Sequence, residues 1–156
     1  MVSRVLLIED DPTVLALMQA AFAKSDYEVF SATNGKAGIE MFHSVSPDLV
    51  ITDIVMPERE GMSVIIEVKK SLFDCGLIAI SGGGERGRMA YLRWAKELGA
   101  DLVIRKPFRM SMLLWMAHEL LEERGRPRVG VAHREAPPPN LRLPFEDNSD
   151  NPARNR

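Results

Sequence analysis

The chain has 156 residues, of which 46% are hydrophobic and 27% charged, which fits one globular domain with a substantial core and leaves little room for a second. Its 20 basic and 22 acidic side chains give a net charge of -2, so we expect no direct contact with nucleic acid or an anionic membrane. The single cysteine, Cys75, excludes an intrachain disulfide and a cysteine-based zinc site. The apolar run at residues 5–8 is far shorter than the ~20 residues that a membrane span needs. We therefore expect a cytoplasmic protein.

Short apolar runs alternate five times with helix-like stretches along the chain. The runs that predict strands are residues 4–8, 28–32, 49–52, 77–80 and 102–105. The stretches that predict helices are residues 12–24, 36–45, 62–72, 88–98 and 110–124. Near-continuous apolar strands indicate burial on both faces of the sheet. The pattern therefore predicts a doubly wound α/β domain with a parallel sheet.

Two helix ends carry recognisable signals. Asp11 is suited to cap the first helix, and Pro12 then occupies its first turn, where no backbone donor is lost. Gly99 similarly suits the exit from the fourth helix. These signals agree with the predicted boundaries.

The composition changes after the fifth predicted helix. Residues 126–156 hold six of the ten prolines and six arginines against four acidic residues, with no apolar periodicity. Such a composition is typical of segments without a core of their own. We expect a domain at residues 1–125 followed by a flexible tail at residues 126–156.

Polar side chains stand at four of the five predicted strand ends. Glu9 and Asp10 follow the first strand, Asp53 the third, Ser81 the fourth and Lys106 the fifth. In open α/β sheets the ligand lies beyond the carboxyl ends of the strands. Three carboxylates brought together there favour a hard cation such as Mg²⁺, while a hydroxyl and an ammonium suit a phosphoryl group. The set predicts phosphoryl transfer to a carboxylate.

Four segments of the chain resemble the receiver domains of two-component response regulators. They are LLIEDDP at residues 6–12, DIVMPEREG at 53–61, IAISG at 78–82 and KPF at 106–108. Each is weakly specific alone, but the set in this order is strongly specific, and the resemblance covers residues 3–124. It implies a flavodoxin-like (βα)5 fold with a five-stranded parallel sheet of order 2-1-3-4-5.

The resemblance also implies a magnesium site. Asp53 would be the phosphoacceptor, and Glu9 and Asp10 would form the acidic pair, with Asp10 as the direct metal ligand. Asp53 and the backbone carbonyl of Val55 would complete the protein's share of the Mg²⁺ shell.

The remaining family positions concern the phosphoryl group itself. By resemblance, Ser81 would bind one phosphoryl oxygen and report its presence by moving, and Lys106 would pair with another. A cis peptide is expected between Lys106 and Pro107. Many receivers carry an aromatic residue three positions before the lysine, where this chain has Val103.

These expectations describe a stand-alone response regulator. It would accept a phosphoryl group from a histidine kinase or a histidine phosphotransfer protein, and then switch conformation for a downstream protein effector or relay the group onward. Its only catalysis would be its own phosphorylation and dephosphorylation. An alternative is a pseudo-receiver that acts as a protein-binding scaffold without phosphorylation. A dehalogenase-like phosphatase needs a second aspartate two positions after its nucleophile, where Val55 stands.

The fifth predicted helix carries three apolar side chains that lie off its expected buried stripe, Met112, Trp115 and Met116. The fourth predicted helix carries Tyr91 and Trp94. Two interpretations remain open at this point. The side chains form a surface patch for homodimerisation or partner binding, or they fold back over the edge of the domain.

Overall fold

The computed structural model describes residues 2–57, 60–82 and 88–125. The strands are β1 (Arg4–Ile8), β2 (Glu28–Ala32), β3 (Leu49–Asp53), β4 (Gly76–Ser81) and β5 (Leu102–Arg105). The helices are α1 (Pro12–Ala23), α2 (Gly35–Val45), α3 (Glu60–Lys70), α4 (Arg88–Glu97) and α5 (Met110–Glu123). All strand pairs are parallel, and the sheet order is β2-β1-β3-β4-β5, which confirms the predicted fold. The predicted tail lies outside the described residues.

The sheet divides the core into two layers. Every residue of β3 and β4 is buried, as expected for strands covered on both faces. Alternate strand residues point to opposite faces, so Leu6 and Val50 pack with α2, α3 and α4, whereas Leu7 and Ile51 pack with α1 and α5. The helices are thus held by apolar burial on both faces of one sheet.

The predicted helix signals are confirmed. The Asp11 side chain accepts hydrogen bonds from the backbone N–H groups of Thr13 at 2.8 Å and Val14 at 3.1 Å. Gly99 ends α4 with φ of +104°, a conformation that a side chain disfavours. The Lys106–Pro107 peptide is cis, as expected.

The third helix begins and ends two residues earlier than predicted. At its start, the carboxylate of Glu60 accepts a hydrogen bond of 2.7 Å from the backbone N–H of Gly35 at the start of α2. At the other end, the Ser71 hydroxyl accepts a hydrogen bond from the backbone N–H of Phe73, which turns the chain out of the helix.

The prediction that Met116 lies off the buried stripe of α5 is wrong. Met116 is only 4% exposed and belongs to the core layer of α1 and α5. It follows Leu113 by three residues and precedes Leu120 by four, so it lies on the same helix face as these buried residues.

The five apolar residues of the predicted patch fall into two groups. Met112 and Trp115 are partly buried against the same core layer as Met116. Tyr91 and Trp94 instead line a groove with Met62 of α3. The helix that carries them packs on the other face of the sheet. The structure therefore does not join the five residues into one patch.

Asp101 ties three elements together at the amino edge of the sheet. Its carboxylate accepts hydrogen bonds from the backbone N–H of Leu77 at 2.8 Å, from Lys69 Nζ at 2.9 Å and from Arg124 Nη2 at 2.9 Å. Arg124 also pairs with the more exposed Asp74. The end of α5 is thereby fastened to the start of β4 and the end of α3.

In the described ranges, no helix has the length and apolar character needed to cross a bilayer.

We expect Asp101→Ala to lower the free energy of unfolding by about 1–3 kcal/mol, because it leaves a backbone donor and two cations without their acceptor. Asp74→Ala is the matched control, since the side chain of Asp74 is 65% exposed and its ion pair within the described residues is with Arg124. Its effect should stay below about 1 kcal/mol. Urea unfolding of both variants measures the difference, and equal losses would contradict the bridging role of Asp101.

Candidate functional site at the carboxyl edge of the sheet

Strand order brings the polar residues at the strand ends together. β1, β3, β4 and β5 are consecutive neighbours in the sheet, and all run in the same direction. Asp53 and Ser81 are the last residues of β3 and β4, while Glu9 and Lys106 directly follow β1 and β5. The chain needs no loop rearrangement to collect these side chains at one edge.

Three carboxylates converge at this edge. Glu9, Asp10 and Asp53 each offer an oxygen within 4.8 Å of the others. Glu9 is fully buried and Asp53 is 3% exposed, whereas Asp10 lies open to solvent. Like charges this close repel one another, and removal from water strengthens the repulsion. The cluster therefore favours a cation.

Lys106 supplies one positive charge. Its Nζ lies 2.7 Å from Asp53 Oδ2 and 2.8 Å from Glu9 Oε2. The second oxygen of Asp53, Oδ1, accepts a hydrogen bond of 2.8 Å from the backbone N–H of Val55. Both oxygens of Asp53 are thus held in place. Val55 itself is half-exposed at the start of the following loop.

Burial and charge shift the protonation of this cluster. Burial raises the pKa of Glu9 to about 7, against the opposing effect of its hydrogen bond with Lys106. Burial would lower the pKa of Lys106, but its hydrogen bonds with Asp53 and Glu9 outweigh this, and the net shift is upward. The lysine is therefore held in its charged form, while Glu9 takes up a proton far more readily than an exposed glutamate.

Ser81 places a buried hydroxyl group at the same edge of the sheet. It is 1% exposed, and its Oγ has no hydrogen-bond partner among the residues that the structure describes. Its backbone carbonyl accepts a hydrogen bond of 2.8 Å from the N–H of Lys106, which fixes the two residues side by side. A buried hydroxyl normally has a partner, so this one is available to an incoming acceptor.

Two glycines permit the close packing of the site. A Cβ at Gly61 would lie 2.2 Å from the carbonyl oxygen of Asp53 and 2.6 Å from Cα of Ile54. A Cβ at Gly82 would lie 2.9 Å from Cδ of Lys106. Both glycines occur in the family-like segments, but sequence reasoning assigned them no role. The role of these glycines becomes evident only from the close approach of neighbouring atoms, which is a three-dimensional property.

Comparison with known proteins agrees with the architecture. The family model of the response regulator receiver domain matches residues 5–118. The fold is similar to a CheY-like receiver domain protein from Methanospirillum hungatei JF-1, with a TM-score of 0.72 and 24% identity over 81% of this chain and 98% of that one. It is also similar to the N-terminal domain of a Wolinella succinogenes protein, with a TM-score of 0.70 and 29% identity over 78% of this chain and 96% of that one.

A curated relative extends the comparison to sequence. The "Probable transcriptional regulator ycf27" of Guillardia theta is 31% identical over 105 residues, which are 67% of this chain and 40% of that protein. The chain thus spans well under half of that relative's length. Receiver domains are signalling modules that generally are not classical enzymes. Because the family model matches residues 5–118, the chain belongs to the response regulator receiver family.

Proposed function

We propose that the chain is a Mg²⁺-dependent phosphoacceptor that takes a phosphoryl group onto Asp53 from a histidine kinase or a histidine phosphotransfer protein. One observation carries the proposal. Lys106 Nζ stands between the carboxylates of Asp53 and Glu9, at 2.7 and 2.8 Å. A fixed cation beside a positioned carboxylate is the arrangement that stabilises negative charge brought by a phosphoryl group.

The donor set fits Mg²⁺. Three carboxylates face a single ammonium group, which leaves an excess of negative charge, and oxygen ligands suit this ion. Asp10, Asp53 and the backbone carbonyl of Val55 would hold the ion, with Glu9 behind them. When bound, Mg²⁺ supplies charge neutralisation for the phosphoryl oxygens.

The chemistry assigned to the chain's own residues is one displacement. An oxygen of Asp53 attacks phosphorus, the P–N bond of a phosphohistidine breaks, and the imidazole leaves with the bonding electron pair. The backbone N–H of Val55 and Lys106 Nζ orient the attacking carboxylate. Lys106 then pairs with an oxygen of the transferred phosphoryl group instead of with the charged carboxylate of Asp53.

Ser81 is proposed as the residue that registers the new group. Its unpartnered hydroxyl lies at the end of β4, next to the strand of Asp53. An acyl phosphate adds charge of roughly -1.5 to -2 together with strong acceptors, toward which this hydroxyl turns. Val103 on β5 is 2% exposed and is not aromatic. We propose that the signal to a downstream protein effector runs through the loops after β3 and β4 rather than through an aromatic rotamer on β5.

A surface beside the site supports docking of the phosphodonor. α1 begins one residue after Asp11 and turns Ala16, Leu17 and Ala20 to solvent, with Leu17 59% exposed. The proposal places the receiver domain at residues 1–125 and the protein in the cytoplasm. The scaffolding alternative without phosphorylation remains the second candidate, and the tests below distinguish it.

Phosphorylation is tested by intact-protein mass spectrometry after incubation with acetyl phosphate. We expect a gain of one phosphoryl group that requires Mg²⁺ and disappears in Asp53→Asn. Asp26→Asn is the matched control, because Asp26 is exposed in a turn away from the site and should be labelled like the natural protein. A label retained in Asp53→Asn would identify another acceptor, and no label on the folded natural protein would favour the scaffolding alternative.

The metal assignment is tested by thermal unfolding with and without MgCl₂. A ligand that binds only the folded state raises its stability, by about 2.7 kcal/mol at one hundred times its dissociation constant. We expect a clear Mg²⁺-dependent increase of Tm that Asp10→Asn reduces or removes. The same increase in Asp10→Asn and the natural protein would exclude Asp10 as a ligand.

Glu9 predicts a specific pH dependence in EDTA. Its pKa is raised from 4.5 to about 7 in the folded state, so between these values the folded state binds the extra proton. The contribution of Glu9 to stability is therefore full below pH 4.5 and is lost as the pH rises through about 7. We expect Glu9→Gln to become progressively more stable than the natural protein over this range, by up to about 3 kcal/mol. A constant difference in urea unfolding would contradict the raised pKa.

A further inference from the structure

An apolar groove lies beside the site, between the loop after β3 and α4. Its volume is about 290 Å³, and it is lined by Ile54, Val55, Met56, Met62, Tyr91 and Trp94. Val55, Tyr91 and Trp94 are 40%, 36% and 50% exposed. They are three of the eight exposed large apolar side chains in the described part of the chain. Exposed apolar side chains gathered in one groove mark a binding surface.

The two aromatic rings give the groove a defined shape. Tyr91 and Trp94 lie three residues apart on α4, with ring centroids separated by 5.8 Å and ring planes at 85°. The near-perpendicular rings form an aromatic corner in the groove, which Met62 also lines. Aromatic-lined grooves of this kind bind extended proline-rich segments, whose preformed conformation loses little entropy on binding.

The chain carries a matching segment. Among the 31 residues that follow Gly125, bulky apolar residues concentrate in residues 137–145, with the sequence PPPNLRLPF. In an extended segment, Leu141, Leu143 and Phe145 share one side, because their spacing is two residues. Three successive prolines precede them and favour polyproline II, which has three residues per turn, in the first part of the segment.

We propose that residues 137–145 of this chain dock in the groove and cover Tyr91 and Trp94. The segment supplies the proline rings and apolar side chains that the aromatic corner accepts. This interaction is separate from phosphorylation and holds for a scaffolding protein as well.

The linker is long enough for this contact. Arg124 fastens the end of α5 at the amino edge of the sheet through Asp74 and Asp101. The groove follows β3, near the carboxyl edge, so the chain must return about 21 Å along the 14 residues of α5 and cross about two helix diameters, or ~20 Å. The 12 residues from Gly125 to Pro137 span about 40 Å when extended, and Leu141 to Phe145 lie further along.

Tethering favours the chain's own segment over a second copy. A tether of this length would hold the segment at an effective concentration on the order of 1 mM. A segment with a dissociation constant of ~0.1 mM is then docked about ten times as often as it is free. A second copy at micromolar concentration competes poorly.

The test uses the full chain with Trp115→Phe, which leaves Trp94 as the sole tryptophan. Acrylamide quenching of Trp94 fluorescence is compared with and without the added changes Leu141→Ser, Leu143→Ser and Phe145→Ser. We expect these changes to raise the quenching constant about twofold or more, since undocking uncovers the indole. Circular dichroism and Tm establish that both chains are equally folded.

Val129→Ser with Val131→Ser is the matched control. These two residues are also apolar and also follow Gly125, but they lie only four and six residues past it, a reach of about 13–20 Å that falls short of the groove. They should leave quenching unchanged. Equal quenching in all chains would overturn the proposal. So would protection of Trp94 that increases with protein concentration alongside a dimer in sedimentation velocity, because the segment would then come from a second copy.

Discussion

The structure of the site depends on one constraint, the concentration of negative charge at the carboxyl edge of a buried parallel sheet. Glu9, Asp10 and Asp53 offer oxygens within 4.8 Å of one another, and two of the three side chains are buried. Lys106 reduces the repulsion through contacts of 2.7 and 2.8 Å. One ammonium group does not balance three carboxylates, so the charge of this edge favours a further cation.

The fold serves this constraint by bringing the carboxyl ends of four adjacent strands together. Parallel order places Asp53 on β3 beside Ser81 on β4, and β5 delivers Lys106 next to the Ser81 carbonyl. Gly61 allows α3 to pack directly against the backbone after Asp53. The charged groups are therefore held by rigid elements rather than by long loops. These groups would need little reorganisation if a charged ligand bound at this edge.

Most of the fold and the membership of the site follow from local patterns. Buried parallel strands are continuous apolar runs, so their ends were predictable to within one residue, and the polar residues at those ends were predictable with them. The burial of Met116 was predicted wrongly, because a side chain at the margin of the apolar stripe of α5 faces inward or outward according to its neighbours. At the start of α3, Glu60 contacts Gly35, which lies 25 residues away in the sequence. The need for Gly61 becomes evident only from the close approach of Asp53. Such long-range contacts leave no local pattern.

The hydroxyl of Ser81 has no hydrogen-bond partner in the part of the chain that the structure describes, and this has a thermodynamic consequence. A buried polar group without a partner costs about 1–3 kcal/mol, and a buried, protonatable Glu9 adds to that cost. This edge is therefore a local weak point of an otherwise close-packed domain. Under the proposed function, a ligand that pairs with these groups in the folded state would raise the stability of the domain, so resistance to unfolding would report how much ligand is bound.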